Sequence, residues 1–260
     1  MNALKEKWAA GEAALGAWLA MPGTVSAELM ARQGFDWLTI DLQHGLIDFA
    51  RMVEMLQAIA TTPTTAMVRV PVAEASWIGR VLDAGAAGVI VPLIDTADQA
   101  RAAVEACRYP PRGRRSYGPF RAAVLAGGSY SPQADADVIC LVMIETRSGL
   151  DNLDAILDVP GIDGVFVGPN DLSLALGLPP AGDHDAPPFV EAIERIVAGC
   201  RARGLVAGCA GTAAIAPKRL AQGFRFVEVS RDGAAMLRAA SEDLRGVRAI
   251  ASAAAERSRT

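Results

Sequence analysis

The sequence predicts an α/β protein, a single (β/α)8 TIM barrel that occupies residues 1–260. Short apolar runs alternate with amphipathic helical patterns along nearly the whole chain, which is typical of repeated βα units around a parallel sheet. Eight such runs can be counted, and a chain of 260 residues is close to the roughly 250 residues of a typical eight-stranded barrel. The chain has neither a GxGxxG after its first strand nor a GxxxxGK[ST] motif, so an open nucleotide-binding sheet is disfavoured.

The strands follow one another at the spacing that intervening helices require. Several are introduced by a glycine that ends the preceding helix, as at Gly34, Gly85 and Gly223, where a left-handed C-cap turns the chain back into the sheet. The predicted strands are 15–19, 36–41, 65–70, 88–92, 137–143, 163–167, 204–208 and 225–229.

Two segments depart from this alternation. The stretch at 107–137 is rich in arginine, proline and glycine and is predicted to be a long loop without regular structure, a kind of loop that is usually functional. It is either a solvated surface loop or a segment that packs on a neighbouring chain, beside or below the mouth of the barrel. The tail at 231–260 is predicted to be helical, and its alanine-rich apolar face favours a final barrel helix.

Composition limits the classes of function. Hydrophobic residues make up 52% and charged residues 21%, with a net charge of −4, which excludes a disordered chain and gives no basic field for nucleic acid or acidic membranes. The protein is therefore expected to act on a small molecule. The N-terminus lacks a signal-peptide core and no apolar run reaches the roughly 18 residues of a membrane span, so we expect a cytoplasmic protein. The four cysteines form no CxxC motif and are predicted to be reduced core thiols: Cys107, Cys140, Cys200 and Cys209.

In a barrel the reactive groups lie at the carboxyl ends of the strands. Polar side chains occur at four of these ends, so we expect them to surround one mouth. They are Asp41 and His44 after strand 2, Arg69 at strand 3, Glu145 after strand 5, and Asn170 and Asp171 after strand 6.

Two of these carboxylates suit a metal ion. Glu145 and Asp171 are about one βα unit apart, so neighbouring strands present them across a gap suited to one divalent cation. Ligation by oxygen alone favours Mg²⁺ or Mn²⁺ over a closed zinc site. The structural alternatives are that Asp171 caps the helix that follows it and that Glu145 pairs with Arg147.

His44 is a candidate general base, because histidine titrates near neutral pH and this one directly follows an apolar strand. Its neighbour Gly45 is expected to allow close approach of a ligand. The other histidine, His184, lies in a turn-rich segment and is not expected to be catalytic.

Arg69 ends an apolar strand and is a candidate to bind an oxyanion or carboxylate, with a salt bridge in the barrel rim as the alternative. The amides of Asn170 and Asp171, at a helix start, can also bind an anion. A metal, an arginine, amides and a base suit the enolate of a 2-oxo acid.

A covalent amine mechanism is disfavoured by the position of the lysines. A Schiff base needs a lysine at a strand end. The chain has only three lysines: Lys5 and Lys7 are near the N-terminus, and Lys218 is in the helix after strand 7.

The same residues occur in motifs that resemble the HpcH/HpaI aldolase family, the metal-dependent class II pyruvate aldolases, from about Gly16 to Ser230. Five motifs stand in the family's order, and their succession is more specific than any one of them. They are Phe35-Asp-Trp-Leu-Thr-Ile-Asp41-Leu-Gln-His44-Gly, Val68-Arg69-Val-Pro71, Tyr109-Pro-Pro-Arg-Gly-Arg-Arg-Ser, Ile144-Glu145-Thr146 and Gly168-Pro-Asn-Asp171-Leu-Ser173.

The resemblance implies a divalent cation, Mg²⁺, Mn²⁺ or Co²⁺, held by Glu145 and Asp171 together with oxygens of pyruvate or hydroxypyruvate. It further implies that Arg69 stabilises the enolate oxygen and that the amides of Asn170 and Asp171 hold the substrate carboxylate. His44 is the implied base.

The resemblance also matches Asp83 to the aspartate that orients this histidine, and Asp41 is counted with the catalytic residues. Asp83 precedes strand 4, at the wrong end of the barrel, so we expect it to act from a neighbouring subunit, as in the homohexamers that the family resemblance implies. Gln43 and Met143 depart from the glutamate and glutamine of many members, and the likeness is closer to a hydroxypyruvate/pyruvate aldolase branch.

The sequence therefore predicts a lyase, a divalent-metal-dependent aldolase that joins or cleaves pyruvate or hydroxypyruvate and an aldehyde. Three other readings stay open. The first is a related enzyme, either an oxaloacetate decarboxylase or a lyase of CoA thioesters, and the thioester lyase would need a basic groove for a nucleotide at Arg112–Arg121. The second is a non-catalytic or regulatory barrel that binds a keto acid. The third is a Schiff-base aldolase.

Overall fold

The computed structural model describes residues 2–127 and 130–257, and side chains throughout these ranges except at 131, 132 and 252–257. Eight parallel strands pair in sequence order, and the last pairs with the first to close a barrel. They are β1 Ala14–Leu19, β2 Trp37–Asp41, β3 Thr65–Arg69, β4 Gly88–Val91, β5 Ile139–Ile144, β6 Gly164–Val167, β7 Val206–Cys209 and β8 Phe226–Arg231.

The predicted (β/α)8 barrel is confirmed, with each strand beginning and ending within two residues of its prediction. Met1, residues 128–129 and residues 258–260 belong to the predicted domain but lie outside the described residues. Helices connect successive strands, and one precedes β1. The helices are α1 Ala3–Ala9, α2 Thr24–Ala31, α3 Phe49–Ile59, α4 Ala75–Asp83, α5 Ala97–Cys107, α6 Phe120–Leu125, α7 Tyr130–Asp137, α8 Arg147–Asp151, α9 Leu153–Leu157, α10 Pro169–Ala175, α11 Pro187–Ala202, α12 Ala216–Gln222 and α13 Asp232–Arg257.

Aromatic side chains fill the inside of the barrel and form the floor beneath its mouth. Trp37 stacks on Phe226 with ring centroids 3.9 Å apart, and Trp18 stacks on Phe166 at 5.3 Å. Gly16 makes room for this layer, because a Cβ there would lie 2.0 Å from the Trp37 ring. The interior is thus a packed core, and small molecules have access only at its ends.

The segment at 107–137 is less irregular than its sequence predicts. It contains α6 and α7, and the Phe120–Leu125 run after Pro119 includes arginine, two alanines and leucine, which favour a helix. The longest irregular stretch among its described residues is the proline- and arginine-rich portion before α6, with a cis bond between Pro110 and Pro111. Since this connection joins the end of α5 to the start of β5, it lies below the barrel, opposite the mouth.

The tail is helical as predicted, but it is not a final barrel helix. Asp232, at the start of α13, is buried, whereas every described side chain from Met236 to Ala251 is exposed. The apolar residues of this helix, including Leu237 at 67% exposure and Ile250 at 69%, therefore have no barrel surface to cover within this chain.

All four cysteines are free thiols and buried, in agreement with their predicted place in the core. No helix among the described residues combines the length and the apolar character that a membrane span requires.

Candidate active site

The polar residues expected at the strand ends do lie at one end of the barrel. Asp41 and Arg69 are the last residues of β2 and β3, and they are paired in the register of those strands. Glu145 follows β5 directly, and Asp171 lies in the first turn of α10, which follows β6. These four side chains therefore approach the same mouth from its two sides.

Asp41 and Arg69 form a buried ion pair. Arg69 donates from Nε to Asp41 Oδ1 at 2.9 Å and from Nη2 to Oδ2. The salt bridge considered as an alternative for Arg69 is thus present, and it holds the guanidinium by one edge. Its Nη1 has no hydrogen-bond partner among the described residues, so donors remain for a ligand in the mouth.

Asp41 also organises the turn that carries His44. Its carboxylate accepts hydrogen bonds from Trp18 Nε1 at 3.0 Å and from the amides of Gln43 and His44 at 3.0 and 3.2 Å. Burial alone would raise the pKa of Asp41, but the hydrogen bonds and charge of Arg69, helped by those of Trp18 and His44, outweigh it and lower the pKa below its ordinary value. Asp41 is therefore a carboxylate that positions other groups.

Glu145 is buried, and its carboxylate is hydrogen-bonded to the segment that follows the neighbouring strand, β4. Its Oε1 accepts a hydrogen bond of 3.0 Å from the amide of Leu93, a residue with a left-handed backbone at φ 56°. Burial is the main cause that raises the pKa of Glu145 to about 7, and the negative charge of Asp171 adds to it. A buried carboxyl group that resists ionisation is well suited to a cation that would compensate its charge.

Glu145 and Asp171 converge above Gly168. A Cβ at this glycine would lie 2.5 Å from Glu145 Oε2, 3.5 Å from Asp171 Oδ2 and 3.2 Å from Met143 Cε. Gly168 thus provides the space in which the two carboxylates meet, and Met143 supplies an apolar wall there.

The Gln43 Oε1 atom is buried without a hydrogen-bond partner among the described residues.

The structural alternatives for these two acids do not account for their positions. Arg147 pairs with Asp151 at 3.0 Å, one helical turn further along, and not with Glu145. The N-cap of α10 is Gly168, without a capping side chain, and Asp171 lies within the helix. The amides of Asn170 and Asp171 belong to the first turn of α10, where backbone donors have no partner in the helix.

His44 lies exposed at the mouth, and its imidazole has no hydrogen-bond partner among the described residues. Gly45, which was expected to allow close approach of a ligand, has a structural role in the turn. A Cβ at Gly45 would lie 2.2 Å from the carbonyl oxygen of Asp41, so glycine is required there by the tightness of the turn itself.

Asp83 is not brought to His44 within this chain. It ends α4, which runs from the mouth to the opposite end of the barrel, where its Oδ1 accepts a 2.7 Å hydrogen bond from Arg115 Nη2. The side chain of Asp83 stays 27% exposed and lines a groove of about 690 Å³ with Arg80 and Ser116. His184 is also remote: its Nε2 lies 2.8 Å from the carbonyl oxygen of Pro179.

The basic loop offers no groove at the mouth. Arg115 forms an ion pair with Asp83, and Arg114 forms one with Glu105. Arg121 donates a hydrogen bond to the carbonyl oxygen of Ala84. The lysines are equally remote from the strand ends, because Lys5 pairs with Asp163, Lys7 with Asp36 and Lys218 with Asp183. Neither a CoA nucleotide nor a Schiff base therefore finds suitable residues near the mouth of this chain.

Sequence reasoning missed three residues at the mouth of the barrel. Leu93 acts through its amide and its backbone conformation, which the sequence does not reveal. Glu228 and Arg231, at the end of β8, form a further carboxylate–guanidinium pair. The signal for this pair is the single glutamate in the apolar run Phe-Val-Glu-Val. The single arginine in the apolar run of β3 was the corresponding signal for Arg69.

Comparison with known proteins places this geometry in a family. The family model described as HpcH/HpaI aldolase/citrate lyase matches residues 15–239. The chain belongs to this family. A hydroxypyruvate/pyruvate aldolase from Rhizorhabdus wittichii is 41% identical over 251 residues, which covers 96% of this chain and 100% of that protein. A 2-keto-3-deoxy-L-rhamnonate aldolase from Escherichia coli O17:K52:H18 is 40% identical over 235 residues, covering 89% of this chain and 87% of that protein.

Among solved structures, an HpcH/HpaI aldolase/citrate lyase family protein from Burkholderia cenocepacia matches with a TM-score of 0.89 and 34% identity. The match covers 95% of this chain and 100% of that one. The closed eight-stranded barrel of this chain is thus the fold of an HpcH/HpaI protein.

Proposed function

We propose that this chain is a divalent-metal-dependent aldolase, which forms or cleaves a carbon–carbon bond between pyruvate or hydroxypyruvate and an aldehyde. The observation that carries the proposal is the convergence of Glu145 and Asp171 above Gly168, across the mouth from the Asp41–Arg69 pair. Relatives that are 41% and 40% identical bear the names of aldolases for 2-oxo acids, which supports the same reading.

The residues present fit a hard divalent cation. The two converging groups are both carboxylates, which such an ion prefers as ligands. The described residues bring together no cluster of three or more metal-binding His, Cys, Asp or Glu side chains, so a bound ion would also need ligands from substrate and water. Glu145 and Asp171 would hold Mg²⁺, Mn²⁺ or Co²⁺ and leave other positions for substrate oxygens and water. When bound, such an ion polarises the 2-oxo group of the substrate.

The chain's own groups account for the remaining steps. Arg69, fixed by Asp41, offers its free Nη1 donors to the oxygen on which negative charge develops when C3 loses its proton. The first-turn amides of Asn170 and Asp171 would hold the substrate carboxylate, and Asp171 thus contributes both its amide and its side chain. His44, exposed at the mouth, would move the proton at C3.

Asp83 supports a site completed between copies of the chain. Its partly exposed carboxylate lies at the opposite end of the barrel from His44, so it would orient the imidazole of a neighbouring subunit. The exposed apolar residues of α13, such as Leu244 and Val247, and Phe120 of α6 give further surface for assembly. We propose a homo-oligomer, a homohexamer as the sequence resemblance implies, that works in the cytoplasm on small molecules.

The proposal is tested by incubating the protein and Mn²⁺ with pyruvate or hydroxypyruvate and glycolaldehyde, and following the mixture by ¹H NMR. We expect a 4-hydroxy-2-oxo acid to form, to disappear with chelator, and to be absent with Glu145→Ala. Arg147→Ala, at an exposed position two residues away, is the matched control. Decarboxylation of oxaloacetate without addition to any of a panel of aldehydes would assign a decarboxylase instead.

A further inference from the structure

β8 ends in a pair of charged residues for which the proposed reaction has no role. Glu228 is 1% exposed and accepts hydrogen bonds from Arg231 at both carboxylate oxygens, from Nε at 3.1 Å and from Nη2 at 3.3 Å. The amide of Gly211 donates to the same carboxylate at 3.3 Å. A buried glutamate paired with one guanidinium edge fixes the orientation of that arginine.

A β-bulge directs Arg231 into the mouth. In the pairing of β8 with β1, Gly16 lies beside Glu228 and Ala17 beside Ser230, so Val229 is an extra residue in β8. After this residue the phase of β8 is reversed, and Arg231 becomes the partner of Trp18, whose ring is in the barrel interior. Residues paired in a parallel sheet point to the same face, so the bulge turns a side chain inwards that regular pairing would turn out.

Arg231 therefore lies near the reacting groups, on the side of the mouth away from Glu145. Its guanidinium carbon is 6.0 Å from the Trp18 ring centroid, and that of Arg69 is 5.0 Å from the same ring. The two arginines flank one tryptophan, and each is held along one edge by a buried carboxylate. The side chain of Arg231 is 46% exposed, and its Nη1 has no hydrogen-bond partner among the described residues.

The charges around the mouth indicate which kind of ligand this donor takes. The guanidinium charges are already matched by their own carboxylates, and further acids are present. The charged side chains at the strand ends are Asp41, Glu145, Asp171, Glu228 and Asp232 against Arg69 and Arg231. A divalent cation offsets part of this excess and the carboxylate of the 2-oxo acid adds one negative charge back, so the mouth stays negative and an anionic second substrate is disfavoured.

We propose that Arg231 is a specificity-determining residue that donates a hydrogen bond to a hydroxyl group of the aldehyde. It makes uncharged hydroxyaldehydes the preferred class of second substrate over aldehydes that lack a hydroxyl group. This inference rests on the proposed aldolase function, because it concerns the electrophile that approaches the enolate. Arg69 and the carboxylates of Glu145 and Asp171 act on the 2-oxo acid, whereas Arg231 binds the aldehyde.

The test compares glycolaldehyde with propanal, which has the same shape and a methyl group in place of the hydroxyl. In Arg231→Met, kcat/KM for glycolaldehyde falls by about 10-fold to 100-fold, the effect of losing a hydrogen bond from a charged donor, while kcat/KM for propanal is unchanged. Arg147→Met is the matched control, since Arg147 is an exposed arginine paired with a carboxylate, and it leaves both values unchanged.

Equal losses with glycolaldehyde and propanal would overturn the proposal, because they would show a structural role for Arg231. A larger loss with glyoxylate than with glycolaldehyde would also overturn it, in favour of a site for a carboxylate. Exchange of the pyruvate methyl protons with D₂O, measured without any aldehyde, separates this inference from the proposed function. Exchange in both the wild-type protein and Arg231→Met is expected, and its absence in the wild type would overturn the aldolase function and this inference together.

Discussion

Arg69 lies edge-on against Asp41, donating through Nε and Nη2 to both oxygens of a carboxylate that is itself bound by Trp18 and by the amide of His44. One carboxylate thus fixes the guanidinium and the turn that carries the imidazole. The relative position of the proposed oxyanion donor and the proposed base is set by a single residue, so we propose Asp41 as a positioning residue for both.

Removal of the Arg69 guanidinium should lower turnover strongly. In the proposed reaction its free Nη1 donors stabilise the oxygen on which charge develops, and loss of one such donor typically lowers kcat by about 10²-fold or more. We expect Arg69→Ala to show this loss in steady-state kinetics, and Arg69→Lys to recover little, because an ammonium group cannot keep the two-point contact with Asp41. Near-normal turnover of Arg69→Ala would contradict the role given to Arg69.

Asp41→Asn should destabilise the protein as well as slow it. The substitution leaves a buried guanidinium without its counter-ion, which typically costs about 3–5 kcal/mol. Thermal unfolding should therefore show a clearly lower Tm for Asp41→Asn than for the double variant Asp41→Asn/Arg69→Met, in which neither charge of the pair remains. If Asp41→Asn unfolds at the wild-type temperature, the pair does not stabilise the mouth in the way described.

Glu145→Gln should stabilise the metal-free protein at alkaline pH. Burial raises the pKa of Glu145 to about 7, from an ordinary 4.5, so its contribution to folding is fully present below pH 4.5 and is lost as pH rises through 7. The loss is on the order of 3 kcal/mol above pH 7. With chelator, Glu145→Gln should have a higher Tm than wild type at pH 8.5 and a similar Tm at pH 4.5.

Added Mn²⁺ provides the complementary measurement at pH 8.5. It should raise the Tm of the wild-type protein by mass action and leave that of Glu145→Gln nearly unchanged. Identical pH profiles for the two metal-free proteins, or an equal response to Mn²⁺, would exclude Glu145 as the buried acid of a metal site.

Asp83 and His44 should complement each other between chains. Asp83→Asn and His44→Ala are each expected to have low activity alone, because the two groups lie at opposite ends of one barrel and in the proposed oligomer meet between subunits. Mixed assemblies, formed by co-expression with different affinity tags, should recover activity, since some interfaces then carry both native residues. A double variant mixed with wild type gives the matched control, and no recovery in the first mixture would contradict a shared site.

The sequence allowed the barrel to be predicted because each strand of a parallel sheet is a short apolar run and each helix has its own period. It also allowed Asp41, Arg69, Glu145 and Asp171 to be identified, because a polar residue that ends such a run has a predictable position. These are local patterns. Such patterns assign a residue first to a strand or helix and then, through the end of that strand, to the mouth of the barrel.

The remaining features depend on relations between distant segments. Arg231 points into the mouth because of an extra residue in the pairing of β8 with β1, and Leu93 reaches Glu145 through a left-handed backbone. Neither register nor φ is visible in a run of residue types. The exposure of α13 was mispredicted because an alanine-rich apolar face does not tell whether its partner belongs to the same chain.

The pyruvate methyl protons offer the most direct test of the central claim, that this mouth generates an enolate with a divalent cation at Glu145 and Asp171. Their exchange in D₂O is followed by ¹H NMR without aldehyde, after chelation and after Mg²⁺ or Mn²⁺ is restored. We expect exchange only with metal, and we expect His44→Ala to abolish it while leaving metal affinity nearly intact. Exchange that persists after full chelation would contradict the metal site, and no exchange under any condition would contradict enolate formation.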